Sequence, residues 1–115
     1  MARIERGEVW LVNLSPTIGR EIRKTRPAVI ISNDINNHYA GTVTVLPVTD
    51  QGEKIYPFEV AIGTEEAGLV KQSKILCQQI RTIDKGRLVK LLGRLSNEAL
   101  NKVNKAILVH LGIES

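Results

Sequence analysis

The pair Arg26-Pro27, standing directly before the apolar run Ala28-Val29-Ile30-Ile31, constrains this chain more than any other feature. The proline ring pushes the residue before it out of helical geometry, so Arg26 is extended and the run reads as a strand. A second apolar run, Val43-Thr44-Val45-Leu46-Pro47-Val48, follows after a polar interval and ends on Thr49. If the two runs pair antiparallel, the start of one lies beside the end of the other. A guanidinium and a hydroxyl then share one spot on the rim of a rigid sheet, an arrangement suited to gripping a phosphate.

The remaining runs extend this pattern. Gly7 to Leu14 is β-rich and is stopped by Ser15-Pro16. Thr17 to Thr25 is a polar, basic loop, long for a hairpin connection and hung on a rigid scaffold. Strands are predicted over Pro27 to Ser32, Thr42 to Thr49, Tyr56 to Ile62, Lys74 to Ile83 and Leu88 to Leu92. Asn33 to Gly41 holds turn formers and one helical turn. Ser96 caps a terminal helix, with Glu98 in its first turn and Gly112 as a left-handed C-cap. Leu100, Val103, Ile107 and Leu111 recur at helical spacing and are expected to form its apolar face. Strands followed by one helix imply an α+β, mainly β, fold: a small antiparallel barrel or sandwich with the helix packed at one side.

At 115 residues, with 43% hydrophobic and 24% charged residues, the chain is expected to form one ordered domain over residues 1–115. Its net charge of +4 favours an anionic partner without proving one. Met1-Ala2-Arg3-Ile4-Glu5-Arg6 lacks the apolar segment of a signal peptide. No apolar stretch approaches the ~20 residues that span a bilayer. One cysteine excludes an internal disulfide and fits a reducing cytoplasm, and Cys77, inside an apolar run, is expected to be buried. Two histidines and that cysteine do not make a protein-only zinc site of the usual kinds, so no metal or other cofactor is expected.

Ordered blocks then carry a resemblance. Arg6-Gly7-Glu8-Val9-Trp10, Leu14-Ser15-Pro16, Gly19-Arg20-Glu21 and Arg26-Pro27 are followed by Pro47-Val48-Thr49, Tyr56-Pro57-Phe58-Glu59-Val60 and Gln79-Ile80-Arg81-Thr82-Ile83-Asp84. In this order and spacing the chain resembles bacterial toxins of the MazF/PemK type, the ribonuclease half of a toxin–antitoxin pair. The resemblance implies an SH3-like barrel, a homodimer, a cognate antitoxin and metal-independent, sequence-specific cleavage of single-stranded RNA. It places the catalytic pair on Arg26 and Thr49 and a loop glutamate on Glu21. It also departs from the family twice. Ile22-Arg23-Lys24-Thr25 replaces the Gln and Gly usual in that loop, and Gln78 replaces the acidic residue that often precedes Gln79.

Each candidate also has a plainer structural use. Arg26 could pair with Glu8 or Glu21 on the surface, Thr49 could cap the turn at Asp50-Gln51-Gly52, and Glu21 could neutralise Arg20 or Arg23. As functional groups, the always-charged guanidinium of Arg26 suits bidentate stabilisation of charge on a phosphorane, and the Thr49 hydroxyl suits a non-bridging oxygen. Glu21 is the third catalytic candidate, as a general base; that base is Glu21, a water or a neighbouring group. Arg20, Arg23, Lys24, Thr25 and Gln79 are the expected RNA-binding residues beside them. His38 and His110 lie in a turn and in the terminal helix, away from this pair. Aromatic residues are only 3%, too few for a stacking platform, so Trp10, Tyr56 and Phe58 are read as structural. The expected activity is RNA cleavage through the substrate 2′-hydroxyl, giving a 2′,3′-cyclic phosphate and a 5′-hydroxyl. The alternatives are a gyrase-poisoning toxin of the same fold that acts by binding, and a silent partner-binding barrel.

Overall fold

The computed structural model describes residues 3–114; Met1, Ala2 and Ser115, which the single-domain expectation includes, lie outside the described residues. In chain order the elements are β1 (Glu8–Asn13), β2 (Thr25–Ile30), α1 (Asp34–Tyr39), β3 (Thr42–Asp50), β4 (Glu59–Ile62), β5 (Ser73–Leu76), β6 (Arg81–Asp84), β7 (Leu88–Arg94) and α2 (Asn97–Leu111). Single 3₁₀ turns occupy Glu66–Gly68, Cys77–Gln79 and Lys85–Arg87. The strands form one antiparallel sheet in the order β4-β5-β3-β2-β1-β7, with β6 also paired to β3. The β-rich architecture with a terminal helix is as expected. The barrel is not closed, because the two end strands, β4 and β7, do not pair with each other.

β3 is the spine. Its first half, Thr42 to Val45, pairs with β6, and its second half, Val48 to Asp50, pairs with β5. One strand was expected over residues 74–83, and the structure divides it at the turn Cys77–Gln79. Ile75, Leu76 and Cys77 are all buried in sequence. Successive strand residues face opposite sides, so this stretch is covered on both faces where the chain leaves the strand for the turn. Tyr56 to Phe58 likewise stay outside β4. Pro57 has no N–H to donate, and the Glu59 carboxylate accepts from the Tyr56 amide at 3.0 Å, closing a turn in front of the strand.

Two apolar clusters hold the sheet. One gathers Val9, Val29, Leu46, Val48 and Ile75 against Ala99, Val103 and Ala106 of α2. The other gathers Val12, Leu14, Ala28, Ile30, Val43, Val45 and Ile83, with Trp10 and Ile22 at its edge. α2 starts where Ser96 Oγ accepts from the Ala99 amide at 3.1 Å and ends at Gly112, whose φ of +70° is left-handed. Its buried stripe is Ala99, Val103 and Ala106, with Leu100 and Ile107 half-buried. Leu111, expected on that face, is 49% exposed. The last turn of the helix therefore leaves this side chain outside the core.

Candidate functional site

The β2–β3 ladder runs Ile30↔Val45, Val29↔Leu46, Ala28↔Pro47 and stops there. The next residue of β2 is Pro27, and neither it nor Pro47 has an N–H to continue the ladder. On its other side β2 stays paired with β1 out to Asn13↔Thr25. The end of β2 is thus held from one side and open on the other, which is where the register, carried two residues further, sets Arg26 opposite Thr49. Arg26 Nη1 reaches Thr49 Oγ1 at 3.4 Å, a long contact, while its Nε donates to the Arg23 carbonyl at 2.9 Å. The guanidinium is oriented through Nε, and Nη2 makes no protein hydrogen bond among the described residues. Both residues line a cavity of about 140 Å³, shared with Pro27, Val48, Asp50, Leu69, Val70, Lys71 and Ser73.

The loop between β1 and β2 is clamped along its length. Arg81 donates to the Leu14 carbonyl at 3.0 Å, and Arg87 donates to the carbonyls of Asn13 and Ser15. Ser15 Oγ accepts from the Lys24 amide at 2.8 Å, across a loop that includes a cis Ser15-Pro16 bond. Gln79 Oε1 accepts from the Ile22 amide at 2.7 Å. Lys24 takes a left-handed φ of +74°. Arg20, Arg23 and Lys24 are exposed, and Thr25 is exposed at the first position of β2. Gln79 therefore spends its carbonyl on the loop and keeps its amide N–H groups for other partners.

Glu21 is not brought to the Arg26–Thr49 cavity. Its Oε1 accepts from the Ile18 amide at 2.9 Å, and it lines a second cavity of about 380 Å³ with Arg20, Gln78, Gln79, Ile80 and Arg81. Beneath this region, Glu59 is a buried carboxylate held by the Lys74 ammonium at 3.0 Å and by the Gln78 amide at 3.0 Å. Burial pushes its pKa up. The Tyr56 amide, Gln78 and Lys74 together outweigh that and hold the carboxyl below its ordinary value. Gln78 Oε1 is buried without a partner. Cys77 is buried, and burial together with Glu59 pushes its thiol up to about 12.

One cluster among the described residues has metal-ligand chemistry: Glu5, Asp34 and His38, whose ligand atoms lie within 4.8 Å of one another. His38 Nε2 meets Glu5 at 3.1 Å, Arg3 abuts its Nδ1, and Asp34 accepts from the Arg6 amide at 2.6 Å. These contacts tie α1 to the N-terminal segment, and none of the three residues lines either cavity just described. Sequence reasoning did not identify Lys71 and Ser73 as lining the Arg26 cavity. They lie more than 40 residues from Arg26, and no local motif predicts that Leu69 to Ser73 returns to the end of β3.

Comparisons with known proteins place the whole chain beside one family. Residues 5–111 match the family described as PemK-like, MazF-like toxin of type II toxin–antitoxin system. The chain is 39% identical to Endoribonuclease MazF9 of Mycobacterium tuberculosis, over 97% of this chain and 99% of that one. It is 38% identical to Endoribonuclease EndoA of Bacillus subtilis, over 96% of each. Among solved structures, MazF from Deinococcus radiodurans superposes with a TM-score of 0.85 at 25% identity, covering 98% of this chain and all of that one. A mycobacterial endoribonuclease in complex with its cognate antitoxin superposes at 0.81 and 25% identity, covering 97% and 98%. With the family matched over almost its whole length, the chain belongs to the PemK-like, MazF-like toxins of type II toxin–antitoxin systems.

Proposed function

We propose that this protein is a sequence-specific endoribonuclease toxin that cuts single-stranded RNA at the Arg26–Thr49 cavity. The observation that carries the reading is the meeting of those two side chains at the open end of the β2–β3 ladder, in a chain whose relatives are named endoribonucleases. In the reaction the substrate 2′-hydroxyl attacks the adjacent phosphorus and loses its proton to water. The P–O5′ bond breaks, and the departing oxygen is protonated by water. The products are a 2′,3′-cyclic phosphate and a 5′-hydroxyl. Charge gathers on the non-bridging oxygens as the phosphorane forms, and the Arg26 guanidinium and Thr49 hydroxyl are the donors aimed there. These steps need a base, an acid and charge stabilisation, and no metal ion.

Glu21 serves the loop in this scheme. Its carboxylate holds the Ile18 amide, so its effect on cleavage is exerted through the loop that carries Arg20, Arg23 and Lys24 along the RNA backbone. Thr25 and the amide N–H groups of Gln79 complete the RNA contacts.

A cognate antitoxin is a partner, as the structure of a relative bound to its own antitoxin supports. Acidic with apolar anchors, it competes with RNA beside the Thr17 to Thr25 loop. An antitoxin that inhibits while RNA stays bound would contradict this. The working form is a homodimer in the cytoplasm, for which exposed Val109, Leu111 and Ile113 offer apolar surface. Sedimentation showing a monomer at micromolar concentration would remove the dimer. No helix among the described residues is long and apolar enough to cross a membrane.

The test is incubation of the purified protein with a long single-stranded RNA in excess EDTA, with the cut sites mapped. Cuts at one short recurring sequence are expected. An RNA left whole in EDTA, with cutting restored by magnesium or manganese, overturns the metal-independent scheme. No cutting under either condition returns the protein to the binding class.

A further inference from the structure

A second cation faces the cavity that holds Arg26. Lys71 lines it together with Arg26 and Thr49. It sits in the middle of Val70 to Gln72, three exposed residues between two anchored flanks. On the first flank Ala67 and Leu69 are buried in the core. Gly68 between them is pressed against β7 so closely that a Cβ would lie 2.3 Å from the Leu92 carbonyl oxygen. On the second flank Ser73 is buried, and its hydroxyl donates to the Lys71 carbonyl at 3.0 Å. The backbone at Lys71 is therefore fixed, while its side chain extends from an exposed position.

The charge balance of the cavity gives this placement a purpose. The ion pairs among the described residues are His38–Glu5, Lys74–Glu59 and Lys102–Glu98. Arg26 and Lys71 belong to none of them, and neither does Asp50, the carboxylate that lines the same cavity. With two cations against the single carboxylate of Asp50, the lining carries a net positive charge that favours a bound anion. The space is about 140 Å³, well below the ~300 Å³ at which pockets for drug-sized ligands begin, so the anion is small. Arg26, oriented by the Arg23 carbonyl, presents a fixed fork. Lysine is a point charge on a flexible stem, suited to a phosphate whose position varies.

Resting on the function proposed above, we infer that Lys71 is a phosphate-binding residue of the RNA site. It holds the backbone at the cavity that Arg26 also lines and positions the strand without taking part in bond breaking. Binding is read by fluorescence anisotropy with 2′-O-methyl RNA, which has no 2′-hydroxyl to react. The probe carries the mapped cut sequence or, if no cut is found, a mixed sequence. Each neutralised phosphate of a single strand contributes a slope of about 0.7 in log K against log salt, which is ~fivefold in affinity at 0.1 M salt.

Lys71→Ala is expected to lower the slope by that amount and weaken binding ~fivefold, with the single-turnover rate at saturating RNA retained. Lys71→Arg is expected to restore the slope, and Lys102→Ala, on the exposed face of α2, to leave it unchanged. Affinity and slope equal to the parent in Lys71→Ala overturn the inference. So does an equal loss in Lys102→Ala, which would mark a net-charge effect, or a fall in the saturating rate with the slope intact. A parent that binds the probe yet cleaves no RNA counts against the proposed function and leaves the Lys71 comparison readable by binding alone.

Discussion

Replacement of Arg26 separates the fold from the chemistry. In the folded protein the side chain makes one oriented bond to the Arg23 carbonyl and a long contact to Thr49, and the residue is half-buried. Losing such a bond costs about 1 kcal/mol of stability. A preorganised donor aimed at developing charge is worth about 3 to 4 kcal/mol, or a hundred- to a thousandfold in rate. Arg26→Ala should therefore unfold at slightly lower denaturant while cleaving at least ~100-fold more slowly. Arg26→Lys keeps the charge but loses both the fork and the Nε tether, so it should recover only a small part of the rate. Thr49→Val removes a neutral donor and should cost about tenfold, less than Arg26→Ala. Single-turnover rates on a short RNA with one site, beside urea titrations of each variant, give both quantities. Cleavage by Arg26→Ala within threefold of the parent would refute the assignment of the cavity and favour a toxin that acts by binding.

Three further outcomes follow from the packing. Gly68→Ala combines a left-handed φ of +73° with a Cβ driven into the Leu92 carbonyl, so it should destabilise the fold by about 2 to 4 kcal/mol in urea titration; a loss below 1 kcal/mol would contradict that close approach. Glu59 has its folded pKa below the ordinary 4.5, so its contribution is fully present above about pH 4.5 and drains away as pH falls through the folded value. Lys74→Met should leave that buried carboxylate unpaired, cost about 3 kcal/mol at pH 7 and start acid unfolding at higher pH, whereas an unchanged acid limb would count against the pair. Cys77, with its thiol pushed up to about 12, should resist alkylation at pH 8 in the native protein and react on unfolding; rapid native labelling would show that it is not shielded.

What could be read from the sequence was what local chemistry dictates. Pro27 announces both the strand and the extended Arg26, and the apolar runs fix which strands pair, so the meeting of Arg26 with Thr49 follows from antiparallel register. Ser96 and Gly112 mark the helix ends because capping is a property of the residues beside them. Long-range placement was not legible in the same way. The split between β5 and β6 falls at the turn Cys77–Gln79, inside an apolar run that carries no turn former to mark it. Lys71 reaches the site only because Gly68 packs on β7. Glu21 looked like a partner for Arg26 by proximity in the chain, but its carboxylate turns back to the Ile18 amide and faces the other cavity. Nor does helical spacing alone distinguish Leu111, left exposed in the last turn, from Val103, which is buried at the centre of α2.

The most direct test of the central claim uses an RNA with a single mapped site and a 2′-deoxyribose placed immediately 5′ of the scissile phosphate. The account predicts that this substrate stays whole under conditions where the all-ribose RNA is cut to a 2′,3′-cyclic phosphate and a 5′-hydroxyl. Cleavage of the deoxy-substituted strand at the same position would show that the nucleophile is not the neighbouring 2′-hydroxyl and would contradict the mechanism assigned to Arg26 and Thr49.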